Sequence, residues 1–462
     1  MKRTYAMRRL VARELVERVG RLAAGPAVMG IDVAKREVVL VVRGPDGSWA
    51  GPYRAVNPDG VGAVVEAAVG IGGGRALRVA MESSGTYGDV LRQALSDAKV
   101  ELHRVEAKRS HDYAEVFDGV PSQHDGKDAA VVAELCAIGK SVVWAYAPPD
   151  ETEGRMRALV DWIDGQDRAR RLWVGRVEAL LARHWPEATG VLALKSGTLM
   201  RALVKYGGPG PLAADPGALK TLTRWGGSLL APAKAEALLA SARTTLGVRQ
   251  SAADRDRLAR CARSAWEASL EVQRSKKQLK GLAEGNVVVQ RQAAAVGVVT
   301  ACVLWCRLGD PRDYPAAQAY RKAMGLNLTE RSSGQFRGAA HISKRGDRLV
   351  RRWLHLGALR LVRQHPEVRQ WYQAKRGRDG GRHLGALTGV VRRLAIALHV
   401  VGTGPEPFDA KRLFAGTAGV GVGVGVGATV GVCADAAGGP QSATAAMTGA
   451  TSQAAACAAG GA

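Results

Sequence analysis

The chain has 462 residues, room for two or three domains. Its 66 Lys and Arg against 42 Asp and Glu leave a formal charge of +24, a surplus that points to a polyanionic partner. A hydrophobic share of 47% excludes wholesale disorder, and 6 scattered cysteines without a CxxC pair exclude a disulfide framework and predict a reducing, intracellular compartment.

Taken in chain order, residues 1–26 mix Arg and Glu among apolar positions and predict a basic amphipathic helix, not a signal peptide. Residues 27–150 read as α/β. Short apolar strands are expected at 27–33, 36–43 and 48–56, then a helix through GVGAVVEAAVG and a Gly-rich loop at 70–74. A strand at 76–81 ends at Glu82, followed by a helix at 87–98, a strand at 100–105 and helices around 108–117 and 127–138. Three meander strands followed by alternating helices and strands predict one mixed sheet flanked by helices, the order of an RNase H-like domain.

From 151 to 286 the strand signal disappears and long helical faces predict a helical or coiled-coil connector, interrupted by a loop at 207–217. Residues 287–407 predict a mainly α third unit: an apolar helix through AAVGVVTACVLWCRLG, a polar loop, then a basic helix at 348–363. The apolar run 296–306 is about half of a bilayer span, and no membrane association is expected. Residues 416–462 collapse to Gly, Ala, Val, Ser and Thr and read as a disordered low-complexity tail.

Four acids stand out in the α/β segment. Asp32 and Glu82 close two strands, where side chains emerge at the rim of a sheet. Asp125 and Asp128 sit three apart at the start of a helix, so they share a face. Singly, each reads as turn or helix-cap chemistry. Together they would repel one another unless divalent cations neutralised them; hard oxygen ligands with phosphate as co-ligand suit Mg²⁺, with Mn²⁺ as the alternative.

The motifs GIDVAK, AMESSG and HDGKDA, followed much later by ERSSG and HISKRGD, resemble the DEDD (RuvC-like) serine transposases of the IS110 insertion-sequence family, whose relatives include the pilin-gene inversion recombinase Piv. The resemblance covers roughly residues 27–400 and implies a RuvC-like domain, a helical connector and a C-terminal transposase domain, in that order. It matches Asp32, Glu82, Asp125 and Asp128 to the family's metal-binding tetrad. It places Ser332 and Ser333 where the family keeps a serine nucleophile, with Ser333, just before the Gly, preferred. It also implies a covalent phosphoserine intermediate, DNA as substrate (element ends and target), a structured guide RNA encoded by the element, and composite active sites in a dimer or tetramer, in the cytoplasm at the nucleoid. The chain departs from the family at Ala295–Val298, which keeps one Gly where a Gly-x-Gly turn is usual, and the Gly/Ala tail has no counterpart.

A serine hydroxyl needs help to act as a nucleophile. No His adjoins Ser333; cations do. Thirteen Lys and Arg lie between Arg331 and Arg378, opposed only by Asp347 and Glu367. Among them Arg331, Arg337, Lys344, Arg345, Arg348, Arg351 and Arg352 are the expected DNA- or RNA-binding residues, with Lys344 and Arg345 placed to hold a scissile phosphate. The competing readings are a RuvC-like nuclease acting through the acids alone and an inactive nucleic-acid-binding relative; an actin- or sugar-kinase-type ATPase is disfavoured because a second Gly-rich phosphate loop is lacking. His103, His111 and His124 are expected at the surface or in loops, Ser83 and Ser84 as local loop residues. Trp305, Trp353 and the Cys302/Cys306 pair are expected in core packing.

Overall fold

A computed structural model describes residues 7–82, 85–119, 124–144, 146–148, 150–330, 332–333, 336–337 and 341–414, with only the backbone of 332, 336 and 337. The expected tail at 416–462, Arg331, Ser83 and Ser84 lie outside the described residues.

The chain opens with strand β1 (Arg8–Arg9) and helix α1 (Ala12–Gly20). The meander follows as β2 (Ala27–Val33), β3 (Glu37–Arg43) and β4 (Trp49–Val56), then α2 (Val61–Gly72), β5 (Leu77–Glu82) and α3 (Asp89–Asp97). β6 (Glu101–Val105), α4 (Ala107–Asp118), α5 (Asp125–Ala137) and β7 (Val142–Val143) complete the α/β part. The seven strands form one sheet in the order β1-β4-β3-β2-β5-β6-β7. β2, β3 and β4 are antiparallel; β5 joins β2, and β6 joins β5, in parallel.

Period-two alternation sorts the sheet into two apolar layers. Ala27, Met29 and Ile31 of β2 pack with Leu77, Val79 and Met81 of β5 beneath α1, α2 and α3. Val28 and Ala80 face the other way, into a layer closed by Ala114 of α4 and Ala129, Val132 and Ala133 of α5. By the same alternation Asp32 and Glu82 belong to the face covered by α4 and α5.

Two expectations in this region are corrected, and one strand is added. The N-terminal segment is not one basic helix: Arg8 and Arg9 pair in parallel with β4, and the helix is confined to Ala12–Gly20, whose Leu15 and Val19 are fully buried against the sheet. Residues 70–72 belong to α2, because burial of Ile71 draws the helix through two glycines that propensity alone would exclude. β7 adds an edge strand that two valines signalled too weakly to be read.

The helical part starts with α6 (Glu151–His184), followed by α7 (Ala188–Val191), α8 (Gly197–Tyr206), α9 (Pro209–Ala214), α10 (Ala218–Gly226), α11 (Pro232–Arg243) and α12 (Ala252–Leu282). Helices α6 and α12 lie antiparallel: Trp162 Nε1 donates to Glu271 Oε1 at 2.9 Å, while His184 at the end of α6 meets Asp254 at the start of α12. Asp254 also closes a capping box with Ser251, which defines where α12 begins. The short helices pack with the facing ends of α6 and α12 around Trp185, Leu203, Leu212, Leu222 and Leu238. Residues 207–217, expected as a loop, contain α9, started by Pro209 at its first turn and anchored by buried Leu212.

The apolar segment after 287 is two helices, α13 (Val287–Val296) and α14 (Val298–Leu308), not one. Gly297 between them has φ +84, a left-handed conformation that ends a helix and that glycine adopts without strain. Two compact units divide there: one runs to Ala293 and takes in Val298–Asp310, the other comprises Ala294–Gly297 and the chain from Pro311. This division places α14 beside α6 in the first unit, joined by an Arg307–Asp161 ion pair, although the expected third unit begins at 287.

In the second unit α15 (Ala317–Ala323) leads to four two-residue strands, β8 (Leu328–Thr329), β9 (Ser332–Ser333), β10 (Phe336–Arg337) and β11 (His341–Ile342). Helices α16 (Arg348–Gln364), α17 (Pro366–Arg378), α18 (His383–Thr403) and α19 (Ala410–Phe414) follow. α18 is long and apolar enough to cross a bilayer by length and composition, and it buries Leu387, Val390, Leu394 and Leu398 inside this unit.

Candidate metal centre and nucleic-acid interface

The acid site starts from a glycine. A Cβ on Gly30 would stand 2.2 Å from the Ala129 carbonyl oxygen and 2.7 Å from the Ala133 Cβ, so α5 rests its backbone directly on β2. Two residues further along the same face of β2 comes Asp32. Asp128 immediately precedes Ala129 on α5, and Asp125 lies one turn back from it. The close approach at Gly30 therefore brings the first turn of α5 to the end of β2. Arg43 on β3 holds the other end of α5, its Nε donating to Glu134 Oε2 at 2.5 Å.

Carboxylate oxygens of Asp32, Asp125 and Asp128 all lie within 4.8 Å of one another. Glu82, at the end of the neighbouring strand, is outside that triplet but close enough to act on it. Burial, then the charges of Asp128, Asp125 and Glu82, push the Asp32 carboxyl up to about 6, against a smaller opposing effect of the Val33 backbone. Burial also raises Glu82, opposed by the Ser110 hydroxyl and reinforced by Asp128; Asp128 is raised by burial and by Asp125, with His124 and Lys127 pulling it down. Carboxylates forced together at such cost are a donor set that fits a hard divalent cation.

The cap of α5 is His124, whose Nδ1 accepts from the Lys127 backbone N–H at 3.1 Å, so Asp125 is released from the capping role that the sequence also allowed. His103, expected at the surface, is buried on β6 between Glu101 (2.8 Å) and Ser141 (3.0 Å); His111 is exposed on α4. Burial pushes the Cys302 and Cys306 thiols up to about 12, in keeping with packing and against metal ligation. Trp305 and Trp353 are only half-buried, and the Arg352 guanidinium stands 5.9 Å from the Trp353 ring, an arrangement of helix surface and not of core.

In the second unit the expected serine loop is a β-ribbon. Leu328 and Thr329 pair with Ile342 and His341, and nested between them in sequence Ser332 and Ser333 pair with Arg337 and Phe336, antiparallel in both cases. Ser333 is exposed and pairs with Phe336. After the ribbon, Asp347 caps α16, accepting from the Leu349 and Val350 backbone at 2.5 and 3.3 Å. Lys344, Arg345 and Arg348 are exposed around this cap. Arg351, expected to bind nucleic acid, is instead turned inward: Nη1 donates to the carbonyls of Gly346 (2.8 Å) and Met324 (3.3 Å), and burial lowers its pKa. Arg331 lies outside the described residues, as does the side chain of Arg337.

Sequence comparison decides what these parts belong to. A transposase model of the IS110 DEDD type matches residues 29–186, the stretch that holds all four acids. A second model, for the IS116/IS110/IS902 transposase family, matches residues 291–373, which include the ribbon and the basic helix. The chain carries the transposase domains of the IS110 family. It is also 26% identical over 286 residues, 61% of this chain and 70% of its relative, to the insertion element IS110 uncharacterized 43.6 kDa protein of Streptomyces coelicolor. The transposase is thus a DNA-processing enzyme of an insertion element, and its acid cluster and DEDD-type domain point to divalent metal use.

The sequence reading missed the residues that build the site without taking part in its chemistry: Gly30, Arg43, Glu134 and Lys127. A glycine inside an apolar strand was the one available signal, since strand interiors otherwise disfavour it.

Proposed function

We propose that this transposase cuts and rejoins DNA strands through a serine nucleophile, Ser333, with Asp32, Glu82, Asp125 and Asp128 holding Mg²⁺, or Mn²⁺ in its place, in an RNase H-like domain. The observation that carries the reading is the acid triplet, whose oxygens crowd within 4.8 Å and raise Asp32 to about 6. Bound cations would neutralise that charge and stabilise the oxygens that gain charge in phosphoryl transfer. Ser333 Oγ forms a bond to phosphorus while the P–O bond of the cleaved strand breaks, and the serine proton passes by way of solvent to the departing oxygen, which becomes the hydroxyl end. The reverse attack by a new hydroxyl rejoins the DNA and frees the serine. The exposed Lys344, Arg345 and Arg348 supply charge to hold phosphates near that ribbon. Guidance by a structured RNA from the element, and assembly as a dimer or tetramer, complete the proposal and rest on the family resemblance.

The test is to trap protein–DNA adducts on element-end DNA with wild type, Ser333→Ala and Ser332→Ala. The serine reading expects an adduct in wild type and Ser332→Ala and none in Ser333→Ala. Cleaved DNA with free ends and no adduct in any of them would favour a nuclease acting through its acids alone. Depletion of co-purifying RNA, followed by add-back of a transcript from the flanking non-coding DNA, tests the guide: recombination should vanish and return.

A further inference from the structure

Lys127 stands between Asp125 and Asp128 in sequence, and its ammonium pairs with a different carboxylate, that of Asp118. The Lys127 side chain is 1% exposed and its Nζ lies 2.7 Å from Asp118 Oδ1, itself 16% exposed. Asp118 is the last residue of α4, and Lys127 is in the first turn of α5. The ion pair therefore links the end of one helix to the start of the next, bypassing the connecting segment. Both helices border the acids: Ala114 of α4 packs on the face of β5 that Glu82 ends, and α5 carries Asp125 and Asp128.

Burying an ammonium and a carboxylate is costly, and apolar residues of similar size commonly serve stability as well or better. Stability alone thus gives little reason for a charged pair at this corner. Direction does: an ion pair with hydrogen-bond geometry fixes distance and orientation, where apolar packing tolerates sliding. We propose that Lys127, through Asp118, is a positioning residue that holds α4 and α5 in the register needed for Glu82, Asp125 and Asp128 to bind one set of cations. This inference rests on the metal reading above.

The experiment measures Mn²⁺ binding to the full chain by the electron paramagnetic resonance signal of free Mn²⁺, beside thermal unfolding in chelator. The variants are Lys127→Met, Asp118→Asn, the double variant Lys127→Met with Asp118→Leu, and Asp32→Asn as the control. Removing a positive charge near a cation site would by itself tighten Mn²⁺ binding. The proposal expects the opposite: Mn²⁺ affinity about ten- to a hundredfold weaker in Lys127→Met and in the double variant, the range seen when partners behind metal ligands are removed. The double variant, which removes both charges of the pair together, should recover most of the unfolding midpoint without recovering affinity. Should Lys127→Met fail to fold, the double variant and the near-isosteric Asp118→Asn carry the measurement. Wild-type or tighter Mn²⁺ affinity in the double variant overturns the proposal while Asp32→Asn still loses binding, which leaves the metal reading standing. A wild type that binds no Mn²⁺ overturns both.

Discussion

Asp32→Asn is the most informative single perturbation of the acid site. In the native chain Asp32 titrates near 6, against an ordinary 3.8, so the folded state holds its proton over about two more pH units than the unfolded chain. At about 1.4 kcal/mol per pH unit the charged native site costs up to about 3 kcal/mol without a cation. The sign follows from linkage. Above pH 6 the carboxylate is charged in both states and the native state bears the whole penalty. As pH falls from 6 towards 4 the native state takes up the proton first, and stability rises until the unfolded chain protonates as well. Asparagine removes the charge and with it the slope. In chelator at pH 8 the Asn variant should be more stable than wild type by up to about 3 kcal/mol, and the gain should vanish near pH 4. Hydrogen exchange of β2 and β5 amides reads this locally, without interference from the other unit. With Mn²⁺ at a hundred times its dissociation constant, wild type should regain about 2.7 kcal/mol at pH 8 and the variant nothing. An Asn variant no more stable than wild type at pH 8 in chelator, or one whose gain persists unchanged at pH 4, would refute the crowding argument.

Gly30→Ala should be severe although it adds one methyl group, because the Ala129 carbonyl stands 2.2 Å from the new atom and α5 must lift. A loss of about 3 kcal/mol is expected, together with weaker Mn²⁺ binding, measured by thermal unfolding and by titration. Arg351→Ala should lower stability by about 1–3 kcal/mol through the Gly346 and Met324 carbonyls it leaves without their donor. The exposed Arg348→Ala and Arg345→Ala should instead leave the unfolding midpoint within about 0.5 kcal/mol and reduce the salt dependence of DNA binding by about one ion each. The reverse pattern between Arg351 and Arg348 would show that their roles have been exchanged.

The sheet and its two flanking layers were legible because β2, β3 and β5 are short, nearly continuous apolar runs, the mark of strands buried on both faces. The acids were legible for a related reason: Asp32 and Glu82 end apolar runs, and a spacing of three puts Asp125 and Asp128 on one helical face. Short elements were not. β1, β7 and the ribbon strands have two residues each, too few for any periodicity, and they exist through pairing with partners distant in sequence. α9 was hidden for the opposite reason, since its Gly and Pro content mimics a loop while Leu212 pins it to a core that only folding assembles.

Sequence by itself determined which chemistry is available to this protein: carboxylates at strand ends and at one helix start, a serine pair, and a surplus of cations near it. Local rules suffice for that, because strand alternation and helical spacing act over a few residues. Only the tertiary structure decided which groups are spent internally and which face outward. Arg351 and Lys127 look no different from their neighbours in the chain, yet one holds backbone carbonyls and the other a half-buried aspartate. Burial and partner geometry depend on segments far apart along the chain, and no pattern within a segment encodes them.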